Sequence, residues 1–270
     1  MTADIQAIAR EALAALDEAR PIEPFTAQFP DFDIEQAYAA AAAARALRVA
    51  RGEKPAGRKI GFTNRGIWAQ YQIDRPIWGD MYAHTARPLD PSETFMLAQL
   101  CEPQIEPEIV LRLARVPESG MDDRAILDCI DWVAHGFEIV QSIYPGWRFK
   151  VPDTIAGFGM HGALRIGAPL AVTAQNRDAL FEELRSFTVT LSRNRDVIET
   201  GRGTNVLDGP LSALCHLVET LATDPHNPRL SAGEIVTTGT LTRAYPVKPG
   251  EIWSTSISGI PLAGLSLRFG

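Results

Sequence analysis

The run Ile105-Glu106-Pro107-Glu108-Ile109-Val110-Leu111 constrains this chain more than any other. Its apolar, β-branched texture predicts a strand, in which side chains i and i+2 project from one face about 6.6–6.8 Å apart along the backbone. Glu106 and Glu108 then share a face. If that face is buried, a proton or a cation must offset their repulsion, and a hard divalent cation takes oxygen ligands of this kind. Glu138, in Gly136-Phe137-Glu138-Ile139-Val140, is another lone acid among strand formers and offers a third carboxylate. Three carboxylates point to Mg²⁺ or Mn²⁺. The competing reading places the pair on the solvated face of an amphipathic strand, where charged residues usually lie. The spacing is compatible with both.

Composition narrows the partners. With 270 residues, 46% hydrophobic and 22% charged, the chain is long enough for one large domain or two smaller ones. A formal net charge of −7 and a pI near 5.3, with no basic run and no C2H2 pattern, argue against a nucleic-acid surface and leave a small molecule as the expected partner. Cys101, Cys129 and Cys215 are odd in number and outside any CxxC spacing, as expected of reduced thiols in the cytoplasm. Met1 to Arg20 is acidic and amphipathic rather than signal-like, and no apolar run approaches the roughly 18 residues that span a bilayer, so no membrane partner is expected.

Ile5, Ile8, Ala12 and Leu16 recur at helical spacing until Pro21, and Asp33 followed by Gln36 reads as a capping box for an alanine-rich helix through Arg48. Further helices are predicted near Asp123–Val133, Arg177–Leu184 and Pro210–Leu221. Late strands are predicted at Phe187–Ser192, Val197–Thr200, Glu234–Thr238, Glu251–Ser256 and Leu265–Phe269. The mixture is α+β, with an N-terminal helical part over residues 1–57 and a β-rich body over 58–270.

Other residues are less constrained. Lys59 lies between Gly57 and Gly61, where a ligand can approach the backbone, although an exposed lysine fits as well. Asp80 follows Gly79 and fits a turn or cap. His84, His135, His161 and His216 show no ligand spacing, Gly201-Arg202-Gly203-Thr204-Asn205 lacks the GK[ST] of a phosphate loop, and no G-x-S-x-G elbow surrounds Ser212, Ser256 or Ser258.

The series Lys59-Ile60-Gly61-Phe62-Thr63, Ile105-Glu106-Pro107-Glu108-Ile109, Phe137-Glu138-Ile139-Val140, Pro152-Asp153-Thr154-Ile155-Ala156 and Thr238-Gly239-Thr240-Leu241-Thr242 resembles the 2-keto-4-pentenoate hydratase/4-oxalocrotonate decarboxylase family, within the fumarylacetoacetase-like superfamily. The resemblance runs over nearly the whole chain. It implies a rolled mixed-sheet core, a homo-oligomer, and a divalent cation, Mg²⁺ or Mn²⁺, on Glu106, Glu108 and Glu138. It further implies catalytic roles for Lys59 and Asp80 on small 2-oxo or 2-hydroxydienoic acids.

The implied reaction is hydration of a 2-hydroxy-2,4-dienoate in aromatic meta-cleavage catabolism. The alternatives are decarboxylation of a 4-oxalocrotonate-like diacid and a non-catalytic 2-oxo acid-binding subunit. Three departures concern the pocket: Gly157-Phe158-Gly159-Met160-His161-Gly162 replaces a polar stretch, Arg243-Ala244-Tyr245 follows the T-G-x-L-T motif, and Gln141 stands where an acid is common. Trp78, Tyr82, Phe158, Met160 and His161 are accordingly expected to frame an apolar distal pocket, with Arg243 the residue able to pair with a second carboxylate.

Overall fold

The protein is described here by a computed structural model covering residues 3–270; Met1 and Thr2, the start of the acidic segment, lie outside the described residues. Helices α1 (Ile5–Asp17), α2 (Phe25–Gln28) and α3 (Ile34–Ala50) lead into β1 (Pro55–Gly61), α4 (Trp68–Tyr71), β2 (Ile77–Tyr82), β3 (Ala86–Pro88), β4 (Thr94–Phe95) and β5 (Gln104–Leu113). Then follow α5 (Asp123–Leu127), β6 (Ile130–Val140), α6 (Val151–Ala156), β7 (His161–Ile166), β8 (Leu170–Ala171) and α7 (Arg177–Ser186). The remainder comprises β9 (Thr188–Arg193), β10 (Asp196–Arg202), α8 (Pro210–Thr223), β11 (Ile235–Thr240), β12 (Tyr245–Pro246), β13 (Ile252–Ser258) and β14 (Ser266–Phe269).

The N-terminal helices form where the sequence places them. Asp4 caps α1 by accepting from the N–H groups of Gln6 and Ala7, and Asp33 and Gln36 exchange the two hydrogen bonds of a capping box on α3. Ala12, Ala37, Ala40 and Ala44 are buried in a core shared with Ile77, Val140, Ile155 and Met160 of the body. The helices thus buttress one end of the sheet. Because β1 begins at Pro55, a boundary between residues 57 and 58 falls inside a strand.

The expected helix over Asp123–Val133 is half strand. It stops at Leu127, and from Ile130 the chain pairs along β5, Leu113 with Ile130 and Leu111 with Val133. Long-range ladder pairing and burial outweigh local helical spacing here.

The main sheet is mixed, ordered β2-β1-β11-β5-β6-β7-β3, and a second runs β10-β9-β13-β14-β4. Pairing of β1 with β11 and of β3 with β7 is parallel, while β5 is antiparallel to both β11 and β6. One face of the main sheet carries Ile60, Trp78, Ile109, Leu111 and Val236 and packs on α5, α7 and α8. Farther along that face, Ile105, Phe137 and Ile139 meet Leu191, Trp253 and Leu267 of the second sheet. The opposite face is lined by Val110, Ala134 and Leu164 and carries the acids of the E-x-E run.

Strand parity decides which charged residues share that acidic face. The β1–β2 register opposes Lys59 to Gly79 and Arg58 to Asp80, so Lys59 and Asp80 project from opposite faces. Arg58 is fully buried, its Nη1 2.8 Å from Asp80 Oδ1, and Arg45 reaches the same oxygen from α3. Trp78 stacks on Tyr38 at 5.1 Å, and Arg48 lies 3.8 Å from the centre of the Tyr82 ring. Asp80 therefore compensates two arginines inside the packing. Asp80→Ala is expected to lower unfolding free energy in urea by about 3 kcal/mol, because it strands a buried guanidinium. Unchanged stability with lost turnover would return Asp80 to a catalytic role.

Candidate active site

The β5–β6 register sets Glu106 directly across from Glu138, and Glu108 across from Gly136. One carboxylate oxygen from each of Glu106, Glu108 and Glu138 can be chosen so that all three lie within 4.8 Å of one another. Glu108 and Glu138 are fully buried and Glu106 is half-buried. Each buried acid has one oxygen held by the protein. Gly239 N–H donates to Glu108 Oε2 at 2.9 Å, and His161 Nδ1 donates to Glu138 Oε1 at 2.8 Å. Glu108 Oε1 and Glu138 Oε2 have no hydrogen-bond partner. Lys59 Nζ lies 3.3 Å from that Glu138 oxygen, close enough for an ion pair but without hydrogen-bond geometry.

The Gly239 bond depends on a bulge. Between Thr237 and Thr240 the register of β11 on β5 shifts, and Gly239 adopts φ +97°, turning its N–H toward Glu108. A Cβ there would fall 2.0 Å from Thr63 Oγ1. Gly79 serves the lysine: a Cβ at Gly79 would meet the Phe158 carbonyl at 2.5 Å, so its absence lets Phe158–Gly159 close down beside the Lys59 stem. Phe158, Gly159 and Met160 have φ of 63°, 61° and 64°, a left-handed run that is strained at the two non-glycine positions.

The acids and Lys59 lie close enough to shift one another's protonation. Burial pushes Glu108 well above the usual carboxylate range, reinforced by Glu138 and Glu106. Glu106 opens partly to the cavity but lies deep enough that lost hydration takes it to about 7. Burial acts upward on Glu138 as well, yet Lys59 and the His161 hydrogen bond outweigh it and hold it at about 2. Burial acts downward on Lys59, and the attraction of Glu138, Glu106 and Glu108 outweighs it, so the ammonium stays protonated.

Lys59 and Glu106 line the floor of a cavity of about 390 Å³. Phe62, Tyr71, Ile77, Val140 and Met160 form its apolar walls, with Trp147 and Phe149 beside them. Gln104, on the same strand face as Glu106 and one pleat outward, adds an amide, and Glu199, Asn205 and Arg243 also line the cavity.

The sequence-predicted residues divide accordingly. Lys59, Glu106, Glu108 and Glu138 are brought together, and Arg243 lines the cavity. Trp78, Tyr82 and Asp80 are not among the lining residues; they belong to the opposite face of β2. Phe158 is buried among the N-terminal helices' core, leaving Gly159 and Met160 to face the cavity. His161 is buried, and its Nε2 lies 2.9 Å from Thr85 Oγ1, so it reaches the site through Glu138 rather than as a wall. Asp153 accepts from Thr26 N–H, Thr26 Oγ1 and Lys150 N–H, fastening α6 to α2. His135 joins the two sheets, its ring nitrogens 2.9 Å from the Glu108 carbonyl and 2.9 Å from Thr255 Oγ1. The walls Phe62, Tyr71, Ile77, Val140, Trp147 and Phe149, and the polar residues Gln104, Asn205 and Glu199, are the residues that sequence reasoning missed. Gln104 alone carried a signal, its i−2 spacing from Glu106.

A family described as fumarylacetoacetate (FAA) hydrolase C-terminal matches residues 82–264. The chain is 29% identical over 247 residues to 2-keto-4-pentenoate hydratase of Paraburkholderia xenovorans (strain LB400), covering 91% of this chain and 88% of that one. It is 28% identical over 249 residues to 4-oxalocrotonate decarboxylase of Pseudomonas sp. (strain CF600), covering 92% and 90%. Among solved structures, 4-oxalocrotonate decarboxylase from Pseudomonas putida G7, complexed with magnesium and adipate, superposes with a TM-score of 0.90 at 27% identity, over 98% of this chain and 97% of that one. With the match spanning most of its β-rich body, this chain belongs to the fumarylacetoacetate hydrolase C-terminal family.

Proposed function

We propose that this protein is a divalent-cation-dependent lyase that adds water to a 2-hydroxy-2,4-dienoate of the 2-hydroxypenta-2,4-dienoate type, giving a 4-hydroxy-2-oxo acid. One observation carries the reading: the two buried acids each keep an unpartnered oxygen beside Glu106, which lines the cavity floor. Orphaned carboxylate oxygens in a protein interior are costly, and an all-oxygen donor set suits Mg²⁺ or Mn²⁺. Glu106, Glu108 and Glu138 would hold the ion. When bound, it would supply a Lewis-acidic positive charge that stabilises negative charge developing on the oxygens of a 2-oxo acid.

The chain's own residues do the rest. Lys59, protonated and anchored on Glu138, donates a hydrogen bond to the substrate's carboxylate or 2-oxygen and fixes its orientation. His161 and the Gly239 N–H keep Glu138 and Glu108 from rotating, and the apolar walls restrict bulk water around the diene. Within the 1–57 segment, the helices of the described residues 5–50 buttress the site-bearing body, 58–270. Three free thiols support a cytoplasmic location, and no helix among the described residues is long and apolar enough to cross a membrane. Association into a homo-oligomer rests on the family resemblance.

The hydratase named among the relatives supports this reading, and magnesium in the decarboxylase structure supports the choice of ion. That decarboxylase also holds adipate, a diacid, which favours decarboxylation as the second reading. A diacid needs a cation at its distal end. Arg243, 77% exposed, instead donates to Tyr245 Oη at 2.9 Å and lies 3.5 Å from Glu199. The monoacid reaction fits better.

Two measurements test the site. Titration calorimetry should show Mg²⁺ and Mn²⁺ binding that Glu106→Gln weakens by about tenfold or more, with little change in thermal midpoint. Unchanged metal affinity would remove Glu106 from the ligand set. Lys59→Met should lower kcat/KM for the dienoate about a hundredfold, roughly 3 kcal/mol, with metal affinity nearly unchanged. Wild-type kinetics in that variant would reduce Lys59 to a counter-ion of Glu138.

A further inference from the structure

The cavity mouth contains an anion that the proposed reaction does not use. Between the pairs Thr240–Glu108 and Tyr245–Ile105, the four residues 241–244 that join β11 to β12 stand opposite two of β5, 106 and 107, so this segment bows away from the ladder. Thr242, Arg243 and Ala244 of the bow line the cavity, facing Glu199 of β10. Glu199 Oε2 accepts the Arg243 N–H at 2.9 Å and the Tyr245 hydroxyl at 2.8 Å, and the Arg243 Nε lies 3.5 Å away. Arg243 Nη2 donates in turn to Tyr245 Oη at 2.9 Å, closing a three-residue ring. Burial works against the Glu199 charge, but the Arg243 N–H, the Tyr245 hydroxyl and the guanidinium outweigh it and hold the group below the usual carboxylate range.

Among the described residues lining the cavity, Arg243 is the only guanidinium, and Lys59 is committed to the acids at the floor. A substrate with a second carboxylate has two options at the mouth. It can draw the Arg243 guanidinium off Glu199, leaving that carboxylate its two hydrogen bonds but no counter-charge, or it can approach Glu199 directly. Both place two negative charges together in a half-buried cleft. A methyl or vinyl terminus meets neither difficulty.

We propose that Glu199 is a specificity-determining residue: by holding Arg243 and by presenting its own charge, it selects 2-oxo acids with an uncharged distal end over dicarboxylates. This rests on the 2-oxo acid reading above and names the substrate class within it. Replacing Glu199 with an uncharged residue should free Arg243 and convert the mouth into a carboxylate site, a case of selectivity built from a repulsive element.

The test uses the Mg²⁺-loaded protein and a non-reacting pair of equal carbon number, 2-oxohexanoate and 2-oxoadipate, with dissociation constants from titration calorimetry. The wild type should bind the monoacid more tightly. Glu199→Gln should move the ratio toward the diacid by about tenfold or more, Glu199→Asp should keep the wild-type order, and Glu199→Gln with Arg243→Ala should abolish the gain. Arg243→Ala alone, a change at an exposed side chain, should widen the monoacid preference. A ratio in Glu199→Gln within about twofold of wild type, or a diacid gain that persists without Arg243, overturns the role of Glu199. So does a wild-type preference for the diacid, and one that vanishes in Arg243→Ala would favour the decarboxylase reading. Failure of the wild type to bind either acid, or to turn over 2-hydroxypenta-2,4-dienoate, overturns the proposed function itself.

Discussion

Repulsion among Glu106, Glu108 and Glu138 is the constraint around which the sheet interior is arranged. Carboxylate oxygens within 4.8 Å of one another, two of the acids fully buried, destabilise any fold that leaves them uncompensated. The molecule answers with one ammonium, one imidazole and one backbone N–H, each on a defined oxygen or beside one. That compensation is incomplete. Two oxygens stay without donors, and the protein's remaining freedom is to bind a proton or an ion there.

Each compensating group relies on a local irregularity. The Gly239 N–H reaches Glu108 because β11 gains a residue against β5, Lys59 is flanked by Gly79 and Gly159, and His161 follows three left-handed residues. Regular pairing would have pointed these groups along the ladder. The second sheet and helices α5, α7 and α8 cover the other face with apolar contacts, and that burial of surface supports the strained segments.

Local physics made part of this legible. An E-x-E pair in an apolar strand marks a shared face, apolar spacing marks α1 and a capping box marks α3, because these signals lie within a few residues of chain. What required the fold was parity between strands. Nothing local says that Glu106 opposes Glu138, or that Asp80 and Lys59 face apart, because both follow from registers set by distant segments. The same holds for β6, whose first residues have helical spacing but pair with β5. Glu199 carries no signal at all in its strand; its meaning comes from the bow at 241–244, which belongs to another part of the chain.

Strand β1 carries adjacent cations, Arg58 toward one face and Lys59 toward the other, each meeting acids. A slip of one residue that brought Lys59 opposite Asp80 would exchange their faces, turning Arg58 to the acidic face one pleat away from the place Lys59 holds. Net charge on each face would be conserved, so electrostatics distinguishes the two alignments poorly during folding. Ile60 breaks the near-degeneracy. In the native alignment it is almost fully buried across from Trp78, in the core that also holds Leu111; in the slipped one it would turn toward the acids, with a glycine in its former place. Burying an isoleucine contributes about 1.5–3 kcal/mol, so fidelity of alignment on this strand is assigned to one aliphatic side chain between two glycines.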